Sequence, residues 1–177
     1  DTMPAMYPYE MAGWGSIGRY TAYATAALGD PVMAMRVRDA LAALAWLRTR
    51  PEVDKSRVFL TANGLGAVVA LHAAAIDKDL AGVVLSNGLS SFRSLIAAEH
   101  YPWSADAFIP NVLKYYDLPD LAAAILCPVH AHNLRGGNGE PADNAELKAW
   151  RKPANVTLST DTDEFSLAAW IELNANG

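Results

Sequence analysis

The chain of 177 residues is poor in cysteine, in charge and in long apolar runs. Its one cysteine, Cys127, rules out an intrachain disulfide and a cysteine-built zinc cage, and assigns no cellular compartment. Charged residues make up 19% of the chain and the net charge is −5, with Arg and Lys scattered as singles and pairs. A nucleic-acid surface needs a basic stripe, so that class of partner is excluded. No run of about 18 apolar residues occurs, and a membrane-spanning helix is therefore not expected. The longest nearly apolar stretch, residues 64–76, is interrupted by His72. Residues 1–18 have neither a basic start nor an apolar segment. They read as a loop rich in Met, Tyr, Pro and Gly, with no signal peptide. An initiator methionine, internal repeats, low-complexity tracts and a linker are all missing. One domain over residues 1–177 is expected, burying roughly two-thirds of its unfolded surface.

What is present is apolar and rich in alanine. Hydrophobic residues make up 52% of the chain, too many for disorder, and 33 alanines favour close-packed helices. Apolar residues at helical spacing place a helix over 31–49, where Met33, Val37, Ala40, Leu41, Leu44 and Leu47 share a face. Asp30-Pro31 opens it and Pro51 ends it. Further helices are expected over 20–28, 67–76, 118–125, 144–151 and 164–173. Short apolar runs at 57–61, 81–86, 127–133 and 155–159 read as strands. Residues 90–119 read as irregular and aromatic, and 135–140 as a glycine loop. Continuous apolar strands separated by helices indicate an α/β fold, a parallel sheet with helices on both faces.

Residues 58–75, VFLTANGLGAVVALHAAA, form a strand, a sharp turn and a helix. Two motifs use that layout. In the nucleophile elbow G-x-S-x-G, small residues flank an exposed serine. Here Ala62 and Gly66 take the small positions and Gly64 the nucleophile's. In the dinucleotide loop G-x-G-x-x-G/A, Gly64 and Gly66 would be the first two glycines. The third falls on Val69, and the acid expected about 20 residues on is replaced by Ser86-Asn87. A tight turn without chemistry is the third option.

VRDALAALAWLR (37–48), RPEVD (50–54) and RVFL (57–60) resemble α/β-hydrolases of the acetyl xylan esterase and dienelactone hydrolase type. AGVVLS (81–86), SSFRSL (90–95) and DLPDLAAAI (117–125) followed by Cys127-Pro128 resemble the same group. The resemblance runs from about Pro31 to Leu173. It implies an ester hydrolase with serine, acid and histidine in that chain order. Each position departs from it. Gly64 has no side chain, the acid stretch 133–137 reads Asn-Leu-Arg-Gly-Gly, and the histidine loop reads Thr160-Asp-Thr-Asp-Glu164. Glu140 and Asp143 lie a little beyond the acid stretch. The resemblance therefore implies a protein related to carboxylic or carbohydrate ester hydrolases but with a degenerate triad. The alternative is a non-catalytic binding or scaffold domain that retains the fold.

The geometry expected to survive is the Leu65 N–H, pointing at an oxyanion site beside a helix N-terminus. Asn63, Gly64, Leu65, Ser90, Tyr101 and Trp103 are the candidate ligand-binding residues, for a small-molecule or carbohydrate ester and without a cofactor. Tyr101, Trp103 and Phe108 read as a lid, a sugar-stacking wall or plain packing. Ser90 and Ser91 follow a strand end, where ligands bind in open α/β sheets, and read as substitute nucleophiles or as caps. His130 and His132 alternate on one strand and face one way, a weak metal pair. His100, Asp161 or Asp163 would be its third ligand. His72 reads as a hydrogen-bonded core histidine. Gly136, Gly137 and Gly139 read as an anion nest or a flexible turn, and Asp117 and Asp120 as helix-start residues. The resemblance also implies about eight strands and roughly 200 or more residues. Four strands are found here, so the N-terminal ones are expected to be missing and the elbow strand to present an open edge. Such a chain would be a piece of a larger fold, or would pair with its missing half or with another chain.

Overall fold

Short β-rich runs alternate with alanine-rich stretches, and in the computed structural model of the chain the former are strands and the latter helices. Residues 17–160 and 166–175 are described. The strands are β1 (Phe59–Asn63), β2 (Gly82–Ser86), β3 (Val129–His132) and β4 (Val156–Ser159). All pair in parallel, in the order β1-β2-β3-β4. Sequential order with a helix in each connection follows from the reach of a parallel crossover. The helices are α1 (Ile17–Ala27), α2 (Val32–Leu47), α3 (Leu65–Ile76), α4 (Phe92–Ala97), α5 (Leu118–Ala124), α6 (Asn144–Trp150) and α7 (Leu167–Ala175).

The pleat divides the sheet into two unlike faces. Leu60, Ala62, Val83, Leu85, Val129, Ala131, Val156 and Leu158 lie on one, by alternation. α3 packs there against β1 and β2, and its Ala67, Val68, Ala70 and Leu71 are buried with Val83, Leu85 and Val129. Phe59, Thr61, Asn63, Val84, Ser86, His130, His132, Thr157 and Ser159 lie on the other. α7 sits over that face. Trp170 meets the Phe59 ring edge-on at 6.2 Å, and a Cβ on Gly82 would stand 2.7 Å from the Trp170 ring. Helices thus cover both faces, as expected, but the second face is polar rather than continuously apolar. Among the described residues β1 stands at the edge of the sheet.

Two expectations change. Residues 90–119 are not wholly irregular, because α4 lies within them. It is six residues long, too short for its periodicity to be read, and distant groups hold it. Ser91 caps it, accepting from Ser94 N–H at 2.9 Å. The buried Asp117 carboxylate accepts from Phe92 N–H at 2.6 Å and from Arg93 N–H at 3.3 Å. Asp117 also caps α5, in a capping box with Asp120, as its helix-start reading requires. The other change is at the glycine loop, where the backbone N–H groups are used internally. Gly136 donates to Glu140 O, Gly139 to Gly136 O and Gly137 to Ser94 Oγ, which removes the basis for an anion nest. Among the described residues no helix is long and apolar enough to cross a membrane.

Candidate active site

The three central connections leave the sheet by the same device. Gly64 follows β1 at φ +57°, Asn87 follows β2 at +51° and Asn133 follows β3 at +54°. Glycine takes the left-handed region freely, and Asn is the side chain that best tolerates it. Each of these residues donates its N–H across the sheet: Gly64 to Ser86 O at 2.9 Å, Asn87 to His132 O at 2.9 Å and Asn133 to Ser159 O at 2.8 Å. The side chains continue the pattern. Asn133 Nδ2 donates to Asn87 Oδ1 at 2.6 Å, and Asn87 Nδ2 to Asn63 Oδ1 at 2.8 Å. An amide ladder therefore crosses the C-terminal ends of β1, β2 and β3, where ligands bind in open α/β sheets. Its one sequence signal is the Asn after each of two strands, Ser86-Asn87 and His132-Asn133.

At the strand-to-helix turn Gly64 has ψ −130°, and a Cβ built on it meets nothing within 4 Å. The turn points any residue at this position into open space. Gly66 approaches β1, its built Cβ 3.8 Å from Ala62 Cβ. Gly88 closes the other side, with Ala67 Cβ at 2.8 Å from the Cβ it lacks and Gly64 O at 3.9 Å. Small residues at these positions allow strand, helix and the following loop to pass closely. Leu65 begins α3, so its N–H is among those that a helix leaves without an intrahelical acceptor.

The other candidate residues fall in separate places. Asn63 lines a cavity of about 320 Å³ with Thr61, Val84, Ser86 and Leu167. Tyr101 and Trp103 line a different one, about 580 Å³, with Thr21 and Tyr23 of α1 and Arg36 of α2. Trp103 Nε1 donates to Gly136 O at 3.1 Å, and the Tyr101 and Phe108 rings meet at 5.0 Å. Ser90 is fully buried. Its Oγ donates to Glu146 at 2.6 Å, and its carbonyl accepts from Trp150 Nε1 at 2.7 Å. That is a structural hub between α4 and α6, with no access for an acyl group. Ser91 is the cap of α4.

The histidines behave as their positions dictate. His72 Nδ1 donates to Val68 O at 2.7 Å, so Nε2 accepts from Tyr116 Oη at 2.9 Å. Burial lowers the His72 pKa and raises that of Tyr116, which keeps both neutral. His130 and His132 face one side, as alternation requires. Both meet Ser159 Oγ, at 2.8 Å from His130 Nε2 and 2.9 Å from His132 Nδ1. Burial, and then the neighbouring His132, lower the pKa of His130 to about 4. No group of three metal-ligating side chains occurs among the described residues, so His100 does not complete a set with this pair. Asp161 and Asp163, like most of the loop 160–164, lie outside them.

No protein-family model and no curated protein matches the chain. Several solved structures are similar to it, two of them acetyl xylan esterases by description. A Bacteroides fragilis protein provisionally described as an acetyl xylan esterase superposes with a TM-score of 0.67 at 18% identity, over 82% of this chain and 40% of its own. An acetyl xylan esterase from a Paenibacillus species gives 0.51 at 21% identity, over 80% of this chain and 49% of its own. The chain spans less than half the length of either. The parallel sheet, the helices on both faces and these two superpositions establish an α/β-hydrolase-like fold.

Proposed function

We propose that this chain is an esterase-related domain that holds a carboxylic or carbohydrate ester at the C-terminal ends of its strands and does not cleave it with a serine triad. The observation that carries this reading is Gly64. It stands on the strand-to-helix turn, aims at open space, and brings no nucleophile there. Two further observations support it. The residue after β3, where the resemblance places the acid, is Asn133, which is engaged in the amide ladder. The loop 160–164 contains no histidine. What remains suits binding: the Leu65 N–H at the start of α3 and the Asn63 amide, with the aromatic residues Tyr101 and Trp103 in a separate cavity. The resemblance of the fold to acetyl xylan esterases favours an acetylated sugar as the ligand.

The test compares p-nitrophenyl acetate hydrolysis by the native chain and by Gly64→Ser. The added serine is expected to leave the rate unchanged, because among the described residues nothing stands within 4 Å of the Cβ it would carry. A tenfold or larger gain overturns the reading, since it would require a working acid and histidine at the turn. Calorimetric titration with an acetylated xylo-oligosaccharide is expected to give saturable binding, and its absence overturns the binding role.

A further inference from the structure

The cavity of about 580 Å³ lies between α1, the start of α2 and residues 101–106, and Asn63, Gly64 and Leu65 take no part in its wall. Its size falls within the range of small-ligand pockets, roughly 300–1,000 Å³. Tyr23, Tyr101 and Trp103 stand in that wall, and Tyr23 and Tyr101 are each about half exposed. Two of the rings are fixed before any ligand arrives. Trp103 Nε1 donates to Gly136 O at 3.1 Å, and the Tyr101 ring meets Phe108 at 5.0 Å. Aromatic side chains held in this way add contact area at little entropic cost.

The polar part of the wall is a charge pair. Arg36 bridges to Asp106, and the Asp106 carboxylate also accepts from Ser104 Oγ. The Asp106 side chain is largely buried and that of Arg36 is half exposed. Arg19, the remaining charged residue of the wall, is engaged as well. A charged ligand of either sign competes with this pair. A neutral polyol does not, because each hydroxyl is both donor and acceptor. Adjacent hydroxyls can accept from further guanidinium N–H groups and donate to further carboxylate lone pairs while the pair stays intact. The rings call for an apolar face and the pair for hydroxyls, and a sugar ring offers both. We propose that this cavity binds a pyranose unit of a neutral oligosaccharide. The proposal rests on the carbohydrate reading of the chain and adds a subsite that needs no ester.

Unacetylated xylotetraose, cellotetraose and mannotetraose, each titrated into the full chain, test it by calorimetry and tryptophan fluorescence. Saturable binding of at least one is expected, with a fluorescence change that is absent in Trp103→Phe. Tetragalacturonate, which carries negative charge, is expected to bind at least tenfold more weakly. Tyr23→Ala and Arg36→Met are each expected to weaken binding about tenfold, the scale of one aromatic contact or one hydrogen bond to a charged group. Tyr23 is half exposed, so its variant keeps the test decisive where Arg36→Met, which strands the Asp106 carboxylate, folds poorly. No binding of any neutral probe, unchanged affinity in Tyr23→Ala, or tighter binding of tetragalacturonate overturns the proposal. A chain that binds only acetylated xylo-oligosaccharide overturns this subsite and leaves the Gly64 reading standing. Equal binding with and without acetyl groups upholds the subsite and removes the ester from the Gly64 reading.

Discussion

His130 is the residue at which burial and ionisation oppose each other most clearly. It is 6% exposed, and its two ring nitrogens meet Thr157 and Ser159. Its folded pKa of about 4 lies below the ordinary imidazole value of 6.5. The unfolded chain therefore binds a proton at His130 below about pH 6.5, which the folded chain refuses until about pH 4. The stabilisation is complete above pH 6.5 and is lost as the pH falls from there to about 4, by about 3 kcal/mol at most. Urea denaturation at pH 7, 5.5 and 4.5 is expected to show this decline, and His130→Gln to flatten it. Equal slopes in both proteins would place the acid sensitivity elsewhere. Gly137 illustrates a different residue-scale constraint. A Cβ there would stand 2.1 Å from Ser94 O, a backbone atom that cannot turn aside.

At the scale of the element, α4 and α5 depend on one carboxylate. Asp117 accepts from the N–H groups of Phe92, Arg93 and Leu118, at the starts of two helices that approach each other only in the folded chain. Asp117→Ala leaves these amides without their acceptor in a buried setting. A loss of about 2–4 kcal/mol is expected, because a lost cap and an unsatisfied buried donor add. Chemical denaturation measures the loss, and hydrogen exchange is expected to accelerate at Phe92 as well as Leu118. Acceleration at Leu118 alone would mean that α4 holds without Asp117. A second inter-element tie joins the ends of α2 and α3. Arg48 pairs with Asp77 through two contacts of 2.5 and 3.0 Å, both side chains largely buried.

At the scale of the molecule, no strand among the described residues pairs with the outer edge of β1. Val58 O accepts from Ala81 N–H, and Gly64 N–H donates to Ser86 O. By alternation Leu60 and Ala62 also face β2, and Phe59, Thr61 and Asn63 turn their backbone groups toward the edge. An edge of this kind is a template for another strand. In the structural neighbours more than half of the chain lies outside the matched region. We propose that a strand from a longer chain or from a second copy pairs here. The 177-residue chain is expected to self-associate with rising concentration in analytical ultracentrifugation. Thr61→Pro, which removes an outward donor without touching the β1–β2 ladder, is expected to be monomeric. Association that is unchanged in this variant would rule out the β1 edge as the contact.

The order of the strands and of every described helix but α4, the sharp turn at Gly64, the common side of His130 and His132 and the capping role of Asp117 were legible from the sequence. Each rests on periodicity, steric preference or capping chemistry acting within a few residues. The tertiary structure alone decided what meets across the chain. It brought Asp117 to α4 over 25 residues, linked Asn63, Asn87 and Asn133, and set Ser159 against His130 over 29. Those contacts depend on strand register and on which face each residue presents. A one-residue slip would turn Ser159 to the opposite side of the sheet from the imidazoles, and a local pattern carries no information about such pairings.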